Sequence, residues 1–194
     1  MRAREFPFAP LRDYWHALSN TGDYEFYCFV RNPYARLRSA WLNKLAYGHD
    51  TGYSKSVRKK ILKPVRRFAQ QNGCEGRADG SSIPFSTLVS FVESVTTGER
   101  DHHWDEQYSV LFMDAIHYAG IFKLETQYHD GMTHVLKRIG FDDACIESLL
   151  GTHRNKSAPP SDTSYDSDVA RRVHSIYARD FEALGYEEDS WQGL

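Results

Sequence analysis

Cysteine is scarce and badly spaced for chemistry that depends on it: Cys28, Cys74 and Cys145 are odd in number, far apart and without a Cys-x-x-Cys pair. That excludes a disulfide framework and a zinc knuckle, and it leaves Cys28 to pack inside a strand. Long apolar runs are missing as well. No stretch reaches the ~18 apolar residues of a membrane-spanning helix, and Met1-Arg2-Ala3-Arg4-Glu5 is not followed by the apolar core of a signal peptide, so the expected location is the cytoplasm. A net charge of -2 gives no global case for nucleic acid or a membrane surface as partner. Internal repeats and low-complexity tracts are absent, and no Gly-x-x-x-x-Gly-Lys-Ser/Thr sequence marks a P-loop kinase. Against these absences, 194 residues with 41% hydrophobic content can form a single domain over 1–194 with a real core.

The most informative stretch runs from Tyr24 to Lys44. Aromatic and β-branched residues from Tyr24 to Val30 suit a buried strand, Asn32 is a natural N-cap, and Pro33 occupies the favoured first helical position. A helix is therefore expected just after Arg31. Tyr34, Leu37, Trp41 and Leu45 follow at helical spacing and would pack it on the sheet, leaving Ser39 and the basic side chains on other faces. Arg31 is then at the carboxyl end of a strand, where open α/β sheets bind ligands, beside a helix N-terminus with N–H groups to offer an anion. The competing reading has Arg31 end a strand and Ser39 lie on a helix surface with no ligand.

The rest of the chain reads as helix-rich. Ser54 to Gln71 is a helical stretch bent or split at Pro64, with Val57, Ile61, Val65 and Phe68 at core spacing and seven cations over thirteen residues outside. Those cations, Lys55, Arg58, Lys59, Lys60, Lys63, Arg66 and Arg67, either attract a polyanionic glycan or form a solvated face. Asn72 to Ser82 reads as an exposed loop, Ser86 as the cap of a helix that Gly98 can stop, and Ala115 to Phe122 as a short strand. Two further helical stripes read as core: Leu124, Tyr128, Met132, Val135, Leu136 and Ile139, closed by Gly140, and Val169, Val173, Ile176, Tyr177, Phe181 and Leu184, closed by Gly185.

The run Arg-x-Pro-x-x-Arg-Leu-x-Ser-Ala-x-x-x-Lys from Arg31 to Lys44 resembles the 3'-phosphate-binding motif of sulfotransferases that use 3'-phosphoadenosine 5'-phosphosulfate (PAPS). Its nearest match is sulfotransferase family 2, the carbohydrate branch that includes the HNK-1 and chondroitin/dermatan enzymes. Later segments follow the same family in order. His103-Trp104-Asp105-Glu106-Gln107 resembles a His-Trp-x-Pro-Gln loop with Glu106 in place of proline. Tyr118 to Thr126 resembles an Ile-Gly-x-Phe-Glu-x-Leu segment with a small offset around Lys123. His153 to Ser157 resembles a His-x-Asn-x-Ser loop, and Ile176 to Tyr186 a closing Tyr-x-x-Asp-Phe-x-x-Phe-Gly-Tyr helix.

The resemblance implies an α/β, P-loop-like sulfotransferase fold, helix-rich with a small parallel sheet. It implies PAPS as co-substrate, no metal, and a carbohydrate or similar hydroxyl-bearing acceptor. Arg31 and Ser39 would hold the 3'-phosphate, and Arg154, Lys156 and Ser157 would close a basic loop over the nucleotide. His103 would be the general base, with His102 an adjacent competitor, while Trp104 and Gln107 would meet the acceptor. The family's opening strand, Pro-Lys-x-Gly-like loop and helix, which cradle the 5'-phosphosulfate, have no counterpart in Met1 to Asp23, where lysine is absent. The expectation is therefore a domain truncated at its N-terminus, either a fragment of an enzyme or a degenerate, non-catalytic binding homologue.

Overall fold

The computed structural model describes residues 24–46, 55–73, 83–151 and 165–194, together with residues 19 and 22, and the backbone alone for 46 and 55–60. Its centre is a pair of parallel strands, β1 (Phe26–Val30) and β2 (Tyr118–Lys123), in register from Tyr27 opposite Gly120 to Val30 opposite Lys123, with an irregularity at Phe26/Tyr27. The second strand starts later than the sequence suggests. Ala115 and Ile116 are taken up by a turn, both donating N–H groups to the Phe112 carbonyl at 2.8 and 2.9 Å.

Helix α1 (Pro33–Trp41) begins where the sequence places it. The Asn32 carboxamide oxygen accepts from Tyr34 N at 2.9 Å and from Ala35 N at 3.4 Å, and Pro33 stands at the first position. Tyr34, Leu37, Trp41 and Leu45 are all buried, the last in a π-helical turn that extends α1 over Leu42–Ala46. Helix α2 (Lys55–Gln71) runs through Pro64 without interruption, the proline lying on the exposed face. Among its described side chains Leu62, Val65 and Ala69 are buried, with Ile61 and Phe68 at the edges of the stripe, while the Val57 side chain lies outside the described ones.

Helix α3 (Phe85–Ser94) starts two residues earlier than a Ser86 cap would allow, with Pro84 as N-cap, and ends before Gly98, which turns the chain further on at φ +86°. A short α4 (Gln107–Val110), α5 (Tyr128–Arg138), α6 (Asp143–Leu150), α7 (Ser167–Ile176) and α8 (Ala178–Leu184) follow. The α7–α8 stripe is core as expected, and Gly185 closes α8 in the left-handed region at φ +62°. The α5 stripe is not. Leu136 is buried, but Leu124, Tyr128 and Ile139 are exposed, because only one edge of this helix leans on the two-stranded sheet. The main core joins α1, α2, α3, α7 and α8 through Trp41, Val65, Leu88, Val92, Val173 and Phe181, and Cys28 is buried in the sheet, where desolvation pushes its thiol up to about 11. Among the described residues no helix is long and apolar enough to cross a membrane.

Candidate functional site at the carboxyl end of the sheet

Arg31 follows the last residue of β1 and precedes the cap of α1. Its backbone is locked by one side chain: the Gln107 amide accepts from Arg31 N and donates to Arg31 O, both at 2.8 Å. Gln107 thus acts as a third strand one residue wide, and at 6% exposure it is closed to an acceptor molecule. The expected substrate role for Gln107 is replaced by this clamp. Arg31 itself is half-buried, and its guanidinium makes no hydrogen bond or ion pair among the described residues.

The α1 N-terminus offers an anion less than expected. The first N–H groups are occupied by the Asn32 cap, and Asn32 N donates to Glu125 Oε1 at 2.9 Å. Glu125 also accepts from Tyr186 Oη at 2.9 Å, so this carboxylate joins the end of β2, the cap of α1 and the end of α8. Its charge together with burial pushes the Tyr186 phenol far up, while Arg31 pulls the other way. Lys123 lies over the Tyr186 ring at 4.4 Å and donates to the Gly185 carbonyl.

Ser39 lies half-buried on the second turn of α1. Its hydroxyl oxygen accepts a long bond from Asn43 Nδ2, 3.3 Å, and its own proton is donated to no described group. Arg36, Ser39 and Asn43 recur at helical spacing and so share a stripe. Arg36 fixes what faces that stripe: its guanidinium donates to the carbonyls of His102, at 2.7 Å, and of Asp105. The sequence reading placed the basic side chains of this helix only on faces away from the sheet; Arg36 among them is the bolt between α1 and the loop that carries His103.

Within that loop Asp101 organises the turn. Its carbonyl accepts from Trp104 N and Asp105 N, both at 2.9 Å, and its carboxylate accepts from His103 N at 3.0 Å and meets His103 Nδ1 at 2.5 Å. An Nδ1–H donated to Asp101 fixes the tautomer and puts the ring's lone pair on Nε2, the arrangement of an oriented general base. Burial lowers the pKa of His103, the hydrogen bond to Asp101 opposes that, and the neighbouring His102 ring and Lys44 ammonium add to the lowering, which favours the neutral form that a proton acceptor needs. Lys44, buried in the π-helical turn, was not anticipated here. Asp101, His102 and His103 each offer one donor atom within 4.8 Å of the others, and these are the described residues that could hold a metal ion.

Trp104 is not available to a sugar ring. It is 1% exposed and packs edge-on against Phe91, with Nε1 lacking a hydrogen-bond partner among the described residues. Its carbonyl instead accepts from the buried Tyr177 Oη at 2.6 Å. Three residues on, the Asp180 carboxylate accepts from Gln107 N and Tyr108 N at 2.9 and 2.8 Å. The Tyr-x-x-Asp-Phe run therefore supports the His103–Gln107 loop from below, with the Phe181 ring tilted against Tyr34 at 4.9 Å between centroids. Glu106 takes φ -58° and ψ 132°, values open to proline, so the loop keeps the course that a Trp-x-Pro-Gln sequence would give it.

Arg154, Lys156 and Ser157 lie outside the described residues, as do the side chains of the N-terminal half of the basic helix; Lys63, Arg66 and Arg67 are exposed. A cavity of about 590 Å³ opens elsewhere, between Tyr34, Ser167, Arg171 and Trp191, and its rim of Glu187, Glu188 and Asp189 repels a polyanionic nucleotide.

A family model described as "Sulfotransferase family" matches residues 8–187. Carbohydrate sulfotransferase 11 of Rattus norvegicus is 31% identical over 178 residues, covering 88% of this chain and 49% of that protein. The Danio rerio protein of the same name is 31% identical over 186 residues, 92% of this chain and 51% of its own length. Carbohydrate sulfotransferase 12 of Xenopus laevis is 24% identical over 172 residues, 84% and 40%. This chain thus spans about half the length of the curated relatives it matches, and no solved structure matches it.

Proposed function

Because this chain belongs to the sulfotransferase family, we propose that it moves a sulfuryl group from PAPS to a hydroxyl of a carbohydrate acceptor. The observation that carries the reading is Arg31: a half-buried guanidinium with its backbone clamped and no anion paired to it among the described residues. Such a group suits a phosphate, to which it gives charge-assisted and bidentate bonds. Ser39, with a hydroxyl proton to donate, is the second contact to the 3'-phosphate, and Arg154, Lys156 and Ser157 cover the nucleotide from their loop. Glu125 stands close by with both oxygens engaged, which keeps its charge directed at Asn32 N and Tyr186 rather than at the ligand.

In this reading His103 Nε2 takes the proton of the attacking hydroxyl while Asp101 holds Nδ1 and steadies the imidazolium that forms. The acceptor oxygen bonds to sulfur as the bridging oxygen of PAPS departs with the electron pair, giving 3'-phosphoadenosine 5'-phosphate (PAP). Positioning and charge stabilisation supply most of the acceleration, as in phosphoryl transfer. The carbohydrate acceptor follows from the names of the relatives.

The test is transfer of labelled sulfate from PAPS to desulfated glycosaminoglycan acceptors. His103→Ala is expected to lose about 10²–10⁴-fold in turnover with PAP affinity unchanged. Full turnover in that variant overturns the base assignment. A chain that binds PAP and transfers nothing to any hydroxyl acceptor is the binding homologue instead of the enzyme.

A further inference from the structure

We propose that Asp101, His102 and His103 form a binding site for a borderline divalent cation of the Zn²⁺ type, whose occupation silences His103. The second half of this rests on the base reading above; the first does not. Asp101 Oδ1 lies 2.5 Å from His103 Nδ1 and 3.7 Å from His102 Nδ1. Ligands bound to tetrahedral zinc at about 2.0–2.2 Å stand roughly 3.3 Å apart, so the two separations bracket the required one and small side-chain rotations reach it. The two imidazole rings sit side by side, centroids 4.1 Å apart and tilted by 34°, so their donors can converge from one side.

The donor set selects the ion. Two neutral imidazoles and one carboxylate match zinc and its neighbours, with the fourth position left to water, whereas Ca²⁺ and Mg²⁺ want several oxygens and would find one carboxylate. Lys44 close to His103 and Arg36 behind the loop oppose any cation held by charge alone, which again favours a metal held through coordination bonds. The site is built before the ion arrives, since Asp101 accepts three backbone N–H bonds of its own turn and Arg36 ties down two carbonyls. Entry is through His102, whose side chain is 71% exposed against 16% for His103. On binding, the His103 proton moves through solvent from Nδ1 to Nε2, and the Nδ1 lone pair so freed bonds to the metal. Nε2 then carries the ring's hydrogen and has no lone pair with which to take a proton from the acceptor hydroxyl, and transfer stops.

Calorimetry with ZnCl₂ and the visible spectrum with Co²⁺, on the whole chain, test the site without reference to activity. One equivalent bound, a tetrahedral Co²⁺ spectrum and no heat with Mg²⁺ are expected. His102→Ala and Asp101→Asn should each weaken this binding by about tenfold or more. Because His102 is exposed and Asn keeps the turn's hydrogen bonds, both variants are expected to fold, which circular dichroism checks. No Zn²⁺ binding, or equal affinity in both variants, overturns the site and leaves the base reading untouched. Stoichiometric Zn²⁺ binding with undiminished transfer confirms the site and overturns the silencing.

Discussion

Arg31 gains its orientation from Gln107 rather than from its own contacts. Two part-buried hydrogen bonds converge on one residue's backbone, and removing the amide takes away the partner of an N–H and of a carbonyl. Gln107→Ala should therefore cost roughly 2–4 kcal/mol in denaturant unfolding, and Gln107→Glu, which keeps the acceptor but buries a charge beside Glu106 and Asp180 and turns an oxygen on the Arg31 carbonyl, should cost at least as much at neutral pH. Glu106 gives a second test with a definite sign. Burial raises its pKa, and the charges of Asp180 and Asp105 add to the effect against Arg100 and Arg179. A raised carboxyl favours the fold while protonated, and that contribution is lost as pH rises through the raised value. Glu106→Gln should thus be more stable than the parent at neutral pH, with the gap closing as pH falls below the ordinary glutamate range. A gap that widens in acid would show that the charged form is the stabilising one.

Elements fix how much could be read in advance. The β1–α1 junction was fully legible because its signals are local: an Asn cap, a Pro at the first position and a helical stripe decide it without help from distant chain. The His103 loop was legible only as a motif. Its supports, Arg36, Tyr177 and Asp180, come from 66 to 73 residues away in sequence, and no pattern shows which exposed-looking cation will bond to a carbonyl. Trp104 belongs to the same case: an aromatic in a polar loop resembles a sugar platform until Phe91 is seen against its ring and its exposure falls to 1%. Asp180→Ala should lose roughly 2–4 kcal/mol by freeing two backbone donors of α4, measured by urea unfolding. Gly131 in α5 makes a sharper point, since a Cβ there would stand 2.5 Å from the Phe122 ring. Helix propensity alone predicts that Gly131→Ala gains about 1 kcal/mol. The close approach to β2 predicts a loss of roughly 1–3 kcal/mol instead, and the sign of the change in melting temperature decides.

Across the whole molecule, Gln107 and Arg36 tie the start of α1 to the loop that carries His103. Arg31 stands before the helix, Ser39 is on the stripe that faces the His103 loop, and Arg36 bolts that loop in place. Helix α5 shows the limit of periodicity as a guide to burial: its stripe is regular, yet a sheet of two strands is too narrow to cover it, and Tyr128 and Ile139 remain exposed. Binding of PAP should stabilise the fold by linkage, about 2.7 kcal/mol at a hundredfold excess over Kd. The most direct test of the account is calorimetry that compares PAP with adenosine 5'-phosphate, which lacks only the 3'-phosphate, on the parent and on Arg31→Ala. The parent should prefer PAP by about 10–100-fold, and Arg31→Ala should lose most of that preference, keeping only what the Ser39 hydroxyl supplies. A preference for PAP undiminished by the loss of Arg31 would contradict the assignment of the 3'-phosphate to this guanidinium.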